Sequence, residues 1–187
     1  MRIIGGSFRG KKILEPNDIK TRPLKDLTKE SIFNIINHSN KFKVNLENSN
    51  ILDLFAGVGS FGIECLSRGS KNVIFVENYN KVLTILKKNL MNLKDIENFK
   101  ILKFDIYKSI NSQIFFEKFD IIFLDPPYKN KNLENILFSI YEKKILKKNG
   151  IIIIHRHKNE KDTFPKNFKT IEEKKYGLSK IIFLTLN

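Results

Sequence analysis

The stretch Ile51-Leu52-Asp53-Leu54-Phe55-Ala56-Gly57-Val58-Gly59-Ser60-Phe61-Gly62 decides the fold. Its first five residues are apolar apart from Asp53, which is typical of a buried strand. The residues that follow form a glycine-rich turn that opens a helix. We expect this helix to run to about Arg68 and to end at Gly69. A strand, a glycine turn and a helix in this order predict an α/β domain whose first turn contacts a ligand.

The rest of the chain continues the alternation of strand and helix from Asn50 onwards. We expect strands at 72–77, 99–104, 119–124 and 150–154, helices at 79–91, 106–110 and 133–143, and a final pair of strands at 168–176 and 180–186. The last pair, joined around Gly177, reads as an antiparallel hairpin. The pattern predicts a mostly parallel seven-stranded sheet, with helices on both faces and a C-terminal antiparallel hairpin.

The first 48 residues have a different pattern. Glycines punctuate two short apolar segments, which suits a small β-hairpin, and a helical stretch follows from Asp26 to about His38. We therefore predict one domain, 1–187, made of an N-terminal extension, 1–48, and a core, 49–187.

Composition sets further bounds. A chain of 187 residues is sized for one domain, and no apolar run approaches the length of a membrane helix. A single cysteine, Cys65, excludes an internal disulfide; we expect it in the core of a cytoplasmic protein, and we take a monomer as the default. The net charge of +14 favours a nucleic-acid partner, although the excess of lysine over arginine can also reflect genome composition.

Polar groups lie at or just beyond the carboxyl ends of the predicted strands. In open parallel sheets ligands bind beyond the carboxyl ends of the strands, so these groups should converge on one site. They are Asp53, Glu77, Asp105, the motif Asp125-Pro126-Pro127-Tyr128, and His155-Arg156.

The glycine turn indicates an adenosine cofactor. Gly57-x-Gly59-x-x-Gly62 matches a dinucleotide fingerprint, and Glu77, twenty residues after Gly57 (77 − 57), can bind ribose hydroxyls. Asp105 can accept from an adenine amino group or cap the following short helix. Asp53 would repel a pyrophosphate but suits the ammonium of a methionine moiety. It therefore favours S-adenosylmethionine over NAD, which stays as an alternative.

The motif at 125–128 has the parts needed to hold a planar group that carries an amine. Asp125 is an acceptor, the two prolines stiffen the turn and present carbonyls, and Tyr128 offers a flat ring.

We expect no metal, because His155 and His157 have no third ligand nearby in the sequence. Arg156 is a candidate phosphate contact.

Two sets of residues resemble known families. The stretch from Asp53 to Gly59, together with Glu77 and the motif at 125–128, resembles class I S-adenosylmethionine-dependent methyltransferases that act on exocyclic amines. The N-terminal blocks 2–11, Thr21-Arg22-Pro23 and 30–34 resemble the bacterial 16S ribosomal RNA guanine-N2 methyltransferases of the small-subunit methyltransferase D type. The chain departs from that pattern at Leu24, Leu27 and Lys29, and at 155–157, where an acid is more usual.

The resemblance implies a Rossmann-like fold and methylation of a guanine N2 amine in 16S rRNA or the small ribosomal subunit. It implies three groups of residues: catalytic Asp125, Pro126, Pro127 and Tyr128; cofactor-binding Asp53, Phe55, Ala56, Gly57, Gly59, Glu77, Asn78 and Asp105; and RNA-binding Arg2, Arg9, Lys11, Lys12, Arg22, Lys129 and Lys131. Other amine acceptors stay open, namely adenine N6, cytosine N4 and protein glutamine, as does a non-catalytic RNA-binding module.

Overall fold

The computed structural model describes residues 1–16, 24–109, 117–127 and 132–187. These residues form five helices and seven strands. In chain order the elements are α1 (Asp26–His38), β1 (Asn50–Leu54), α2 (Ser60–Ser67), β2 (Asn72–Val76), α3 (Asn80–Met91), β3 (Phe99–Leu102), α4 (Ile106–Ser109), β4 (Phe119–Leu124), α5 (Leu133–Glu142), β5 (Leu146–His157), β6 (Phe168–Tyr176) and β7 (Ser179–Leu186).

The seven strands form one sheet in the order β3-β2-β1-β4-β5-β7-β6. Strands β1 to β5 are parallel, while β7 runs antiparallel to both β5 and β6. The predicted fold class is therefore confirmed. Strand order reverses between β1 and β4, and this switch point is where an open α/β sheet leaves a crevice for a ligand.

Each face of the sheet carries its own hydrophobic core, because successive side chains of a strand point to opposite faces. Ile121 and Phe123 belong to the core beneath α1, α2 and α3. Ile122 and Leu124 belong to the core covered by α5. Cys65 of α2 is buried in the first core, as predicted. None of the helices in the described ranges is long and apolar enough to cross a membrane.

The N-terminal segment folds as a short hairpin. One antiparallel bridge pairs Arg2 with Lys12, and the Ile3 amide donates to the Lys11 carbonyl at 2.9 Å. Ile3 and Ile13 are buried in the first core. The predicted motif 21–23 lies outside the described residues.

The fifth strand differs from its prediction. It begins at Leu146 rather than at Gly150, and it continues through 155–157, which we expected to follow it. The later end has its physical reason in β7, which runs alongside and supplies ladder partners as far as His157, opposite Ser179. In contrast, β3 ends at Leu102, two residues earlier than predicted.

Candidate active site

Strand register brings the motif at 125–127 next to the glycine turn. Leu54 pairs with Leu124, and the Asp125 amide donates to the Leu54 carbonyl at 3.4 Å. Asp125 and Phe55 therefore leave neighbouring strands side by side at the switch point. The Asp125 side chain is 21% exposed, which keeps its carboxylate accessible at the edge of the sheet.

The glycine turn is built on left-handed backbone. Phe55, Gly57 and Gly59 have φ values of +62°, +57° and +86°. A Cβ on Gly59 would lie 2.5 Å from Cδ1 of Leu86, so this glycine lets α3 pack against the turn. A Cβ on Gly57 would meet only the Phe55 carbonyl oxygen, at 4.0 Å. The turn is therefore packed on its inner side and open at Gly57, where a ligand has room.

Asp53 lies beneath the turn, with 1% of its surface exposed. Its Oδ2 accepts a hydrogen bond from the Gly62 amide at 3.0 Å, in the first turn of α2. Burial raises the pKa of Asp53 to about 8, against the effect of that hydrogen bond, and the charges of Asp125 and Glu77 raise it further. Asp125 and Glu77 are thus close enough to Asp53 to act on its carboxyl group, and this concentration of acidic groups at the switch point favours a cationic ligand.

Glu77, directly after β2, ties the turn to α3. Its Oε2 accepts from the Gly57 amide at 2.9 Å. Its Oε1 accepts from the amides of Asn78 and Tyr79 at 2.8 and 2.9 Å. This places the predicted ribose-binding acid beside the open side of the turn, with Asn78 exposed next to it.

Asp105 caps α4. Its Oδ1 accepts from the Tyr107 amide at 3.0 Å, which is the capping alternative considered from the sequence. The ring of Tyr107 lies 5.3 Å from that of Phe55, centroid to centroid. Sequence reasoning missed Tyr107; its position two residues after Asp105 was the only signal.

Two residues of β5 hold the motif at 125–127 from the neighbouring strand. Nδ1 of His155 lies 2.9 Å from Oδ1 of Asp125. Nη1 of Arg156 donates to the Pro127 carbonyl at 3.5 Å, and its Nε donates to Asp162 at 2.9 Å. Because Arg156 is buried and paired in this way, its interpretation as a phosphate contact is wrong.

The predicted RNA-binding residues divide into two groups. Arg2, Arg9, Lys11 and Lys12 are exposed on the N-terminal hairpin, outside the seven strands of the sheet. The ammonium of Lys11 lies 4.6 Å from the ring centroid of Phe8. Arg22, Lys129 and Lys131 lie outside the described residues, as does the predicted catalytic Tyr128.

The metal-ligating residue types do not cluster in the described ranges: no group of three or more His, Cys, Asp or Glu there could hold a metal ion.

The sheet order, the glycine turn and the acids at the strand ends define a class I methyltransferase fold. Solved structures share it. The candidate methyltransferase yhhF from Escherichia coli superposes with a TM-score of 0.83 at 26% identity, covering 98% of this chain and 96% of that one. A candidate methylase from Haemophilus influenzae gives a TM-score of 0.75 at 32% identity, with the same coverage of 98% and 96%.

The family follows from the sequence comparisons. A family model described as conserved hypothetical protein 95 matches residues 1–185. The ribosomal RNA small subunit methyltransferase D of Haemophilus influenzae is 35% identical over 182 residues, which is 95% of this chain and 90% of the relative. That of Buchnera aphidicola from Acyrthosiphon pisum is 33% identical, covering 92% and 86%. The chain belongs to the small-subunit ribosomal RNA methyltransferase D family.

Proposed function

We propose that this protein transfers a methyl group from S-adenosylmethionine to the exocyclic N2 amine of a guanine in 16S ribosomal RNA. One observation carries the proposal: the Asp125 carboxylate leaves β4 directly beside the glycine turn, in register with it, in a chain of this family. Methyl donor and amine acceptor can then meet at a single switch point.

The residues around the turn fit the donor. The donor is cationic at its sulfonium and its ammonium, and the acidic groups of Glu77 and Asp125, which act on Asp53, favour a cation. The open side of Gly57 leaves space for it. The residues that would hold it are Asp53, Phe55, Ala56, Gly57, Gly59, Glu77, Asn78 and Asp105. When bound, S-adenosylmethionine supplies an electrophilic methyl group and leaves as a neutral thioether.

Asp125 and Pro126 act on the acceptor. The lone pair of a guanine amine is delocalised into the ring, so the nitrogen is a weak nucleophile that must be aimed. The Asp125 carboxylate and the Pro126 carbonyl accept hydrogen bonds from its two protons and fix its direction. The carboxylate also stabilises the positive charge that develops on the nitrogen. Tyr128 stacks on the base, which has to be unpaired or extruded from its helix.

The basic residues supply affinity. Arg2, Arg9, Lys11 and Lys12 present positive charge on the hairpin, with Arg22, Lys129 and Lys131 as further phosphate contacts. Such contacts position an RNA without reading its sequence.

A direct assay tests the function. Labelled S-adenosylmethionine is incubated with small ribosomal subunits and the rRNA is digested to nucleosides; we expect the label in N2-methylguanosine. Label in N6-methyladenosine or N4-methylcytidine would support the alternative, another exocyclic amine, and label in protein would point to glutamine. Calorimetry that showed binding of NAD but not of S-adenosylmethionine would sink the proposal.

Asp125→Ala is the decisive variant. We expect kcat to fall by about 100-fold or more, since the group that holds the amine and its developing charge is lost. S-adenosylmethionine should still bind to the variant, because Asp53 and Glu77 remain, so the loss of kcat will not reflect a loss of the donor. Methyl transfer at the wild-type rate would rule out this role for Asp125.

A further inference from the structure

His155 is fixed on both sides of its ring. It lies in β5 one residue after Ile154, which pairs with Leu124, so it stands level with Asp125 on the next strand. Nδ1 lies 2.9 Å from Oδ1 of Asp125, and Nε2 lies 2.9 Å from Oγ of Ser179 on β7. The side chain is 6% exposed, so the ring cannot turn away into solvent.

The charge on this pair supports the contact. Burial alone lowers the pKa of His155, but the charge of Asp125 and the hydrogen bond to it outweigh burial, so the pKa is raised above its ordinary value. The charged groups that act on the ring include Asp125 at the end of β4 and Arg156 on its own strand, which opposes protonation. Its described neighbour on β7, Ser179, is neutral. The ring therefore donates through Nδ1 to the carboxylate.

The contact uses one oxygen of Asp125. Within the part of the chain that the structure describes, His155 contacts Oδ1, and Oδ2 takes no part in this contact. The adjacent Arg156 contacts the Pro127 carbonyl at 3.5 Å. Two successive residues of β5 therefore hold Asp125 and Pro127 from the neighbouring strand.

We propose that His155 is a positioning residue that locks the Asp125 carboxylate, so that Oδ2 points at the target amine. The inference rests on the proposed function for the role of Asp125. It gives His155 a task beyond packing: without the Nδ1 donor, the carboxylate can rotate, and the amine loses its fixed direction.

Two conservative variants separate this task from packing. The amide nitrogen of an asparagine lies near the place of Nδ1, and that of a glutamine lies near Nε2. We expect His155→Asn to keep kcat within about threefold, and His155→Gln to lower it by about tenfold or more. KM for the rRNA substrate and the dissociation constant for S-adenosylmethionine should stay within about twofold. His157→Gln, the same change two residues further along β5, is the matched control and should leave kcat unchanged.

Nuclear magnetic resonance gives a readout independent of turnover. The ring nitrogens of His155 should titrate above the ordinary histidine pKa of about 6.5 in the wild-type protein. In Asp125→Asn they should titrate lower, because burial then acts unopposed. If His155→Gln does not fold, this comparison decides the question.

The outcomes are distinguishable. Absence of rRNA methylation by the wild-type protein would overturn the proposed function, whatever the resonances show. Wild-type kcat in His155→Gln, or equal losses in the Asn and Gln variants, would overturn the role of His155 while leaving the function intact. An unchanged His155 titration in Asp125→Asn would overturn it as well.

Discussion

The carboxylate of Asp53 shows how one residue can serve both fold and site. It accepts the Gly62 amide and so satisfies one of the donors that open α2. It does so while almost fully buried and under the influence of Asp125 and Glu77. Such a group costs stability when it ionises, and a cationic ligand would relieve that cost. The arrangement is consistent with a site that is built for its ligand rather than for the stability of the empty protein.

Asp53→Asn tests this electrostatic cost. The folded-state pKa of about 8 lies above the unfolded value of about 3.9. The folded protein therefore holds a proton that the unfolded chain releases, and stability is lost as pH rises from about 4 to about 8. Asparagine keeps the acceptor for Gly62 without titrating. In urea unfolding, the free energy of unfolding of the variant should rise relative to that of the wild type by about 1.4 kcal/mol per pH unit within that window. A stability difference between variant and wild type that does not change with pH would show that ionisation of Asp53 is not its cause.

The sequence predicted Asp53, Glu77 and Asp125 as neighbours because each one lies at or just beyond the carboxyl end of a strand with a clear apolar pattern. The same reasoning saw His155 but gave it no partner. Its role depends on the register between β4 and β5, and on Ser179 from a strand 24 residues later in the chain. No local pattern reports such contacts. Tyr107 was missed for a similar reason, since only the fold brings it to Phe55.

At the scale of elements, α2 joins the N-terminal hairpin to the site. Its first turn follows the glycine turn, and Glu64 in its middle is fully buried. Glu64 accepts from the amides of Ile4 and Gly5 at 2.9 and 2.8 Å, and from Nε of Arg68 at 2.9 Å. The ammonium of Lys29, also buried, lies 3.4 Å away. One carboxylate thus docks the hairpin and α1 on the helix that opens the site.

Glu64→Gln should destabilise the protein by about 3 kcal/mol, because the buried Lys29 loses the nearer of its two carboxylate partners and keeps only Asp26, at 3.8 Å. The glutamine side chain also has only one acceptor oxygen, whereas the amides of Ile4 and Gly5 donate to separate oxygens of Glu64. Urea unfolding measures the loss, and hydrogen exchange should show faster exchange at Ile4 and Gly5. Glu47→Gln, the same change at an exposed position, should cost less than about 0.5 kcal/mol. Equal stability of the two variants would refute the docking role.

Element types could be predicted further than element lengths. The strands from Asn50 onwards and the terminal hairpin were expected, since alternating patterns are local. The start of β5 was missed because Lys147, Lys148 and Asn149 read as loop residues. They lie in a strand whose early part pairs with β4 at Phe119, next to an irregularity in register. Tertiary pairing there outweighs local preference.

Across the whole molecule, the basic hairpin runs along α2 towards the site. At one end its Ser7 amide donates to the Ser67 carbonyl at the last turn of α2. At the other end, Asn89 of α3 donates to the carbonyls of Leu14 and Val58, which joins the hairpin to the glycine turn. A helix of eight residues is about 12 Å long, so a bound RNA can contact the hairpin and reach the site at once.

Neutralising Arg9, Lys11 and Lys12 together by glutamine should weaken rRNA binding and flatten its salt dependence. Each lost phosphate contact reduces the steepness of the plot of log binding constant against log salt concentration by roughly 0.7–0.9. Three lost contacts should therefore reduce it by about 2 or more. The matched control uses three exposed lysines near the amino ends of the parallel strands β2, β4 and β5, whereas the site lies at the carboxyl ends. They are Lys71, Lys118 and Lys148. Their triple replacement by glutamine removes the same charge and should leave the slope nearly unchanged. Fluorescence anisotropy with a 16S rRNA fragment at several KCl concentrations measures both. Equal slopes in the two triple variants would mean that net charge, rather than the hairpin, drives RNA binding.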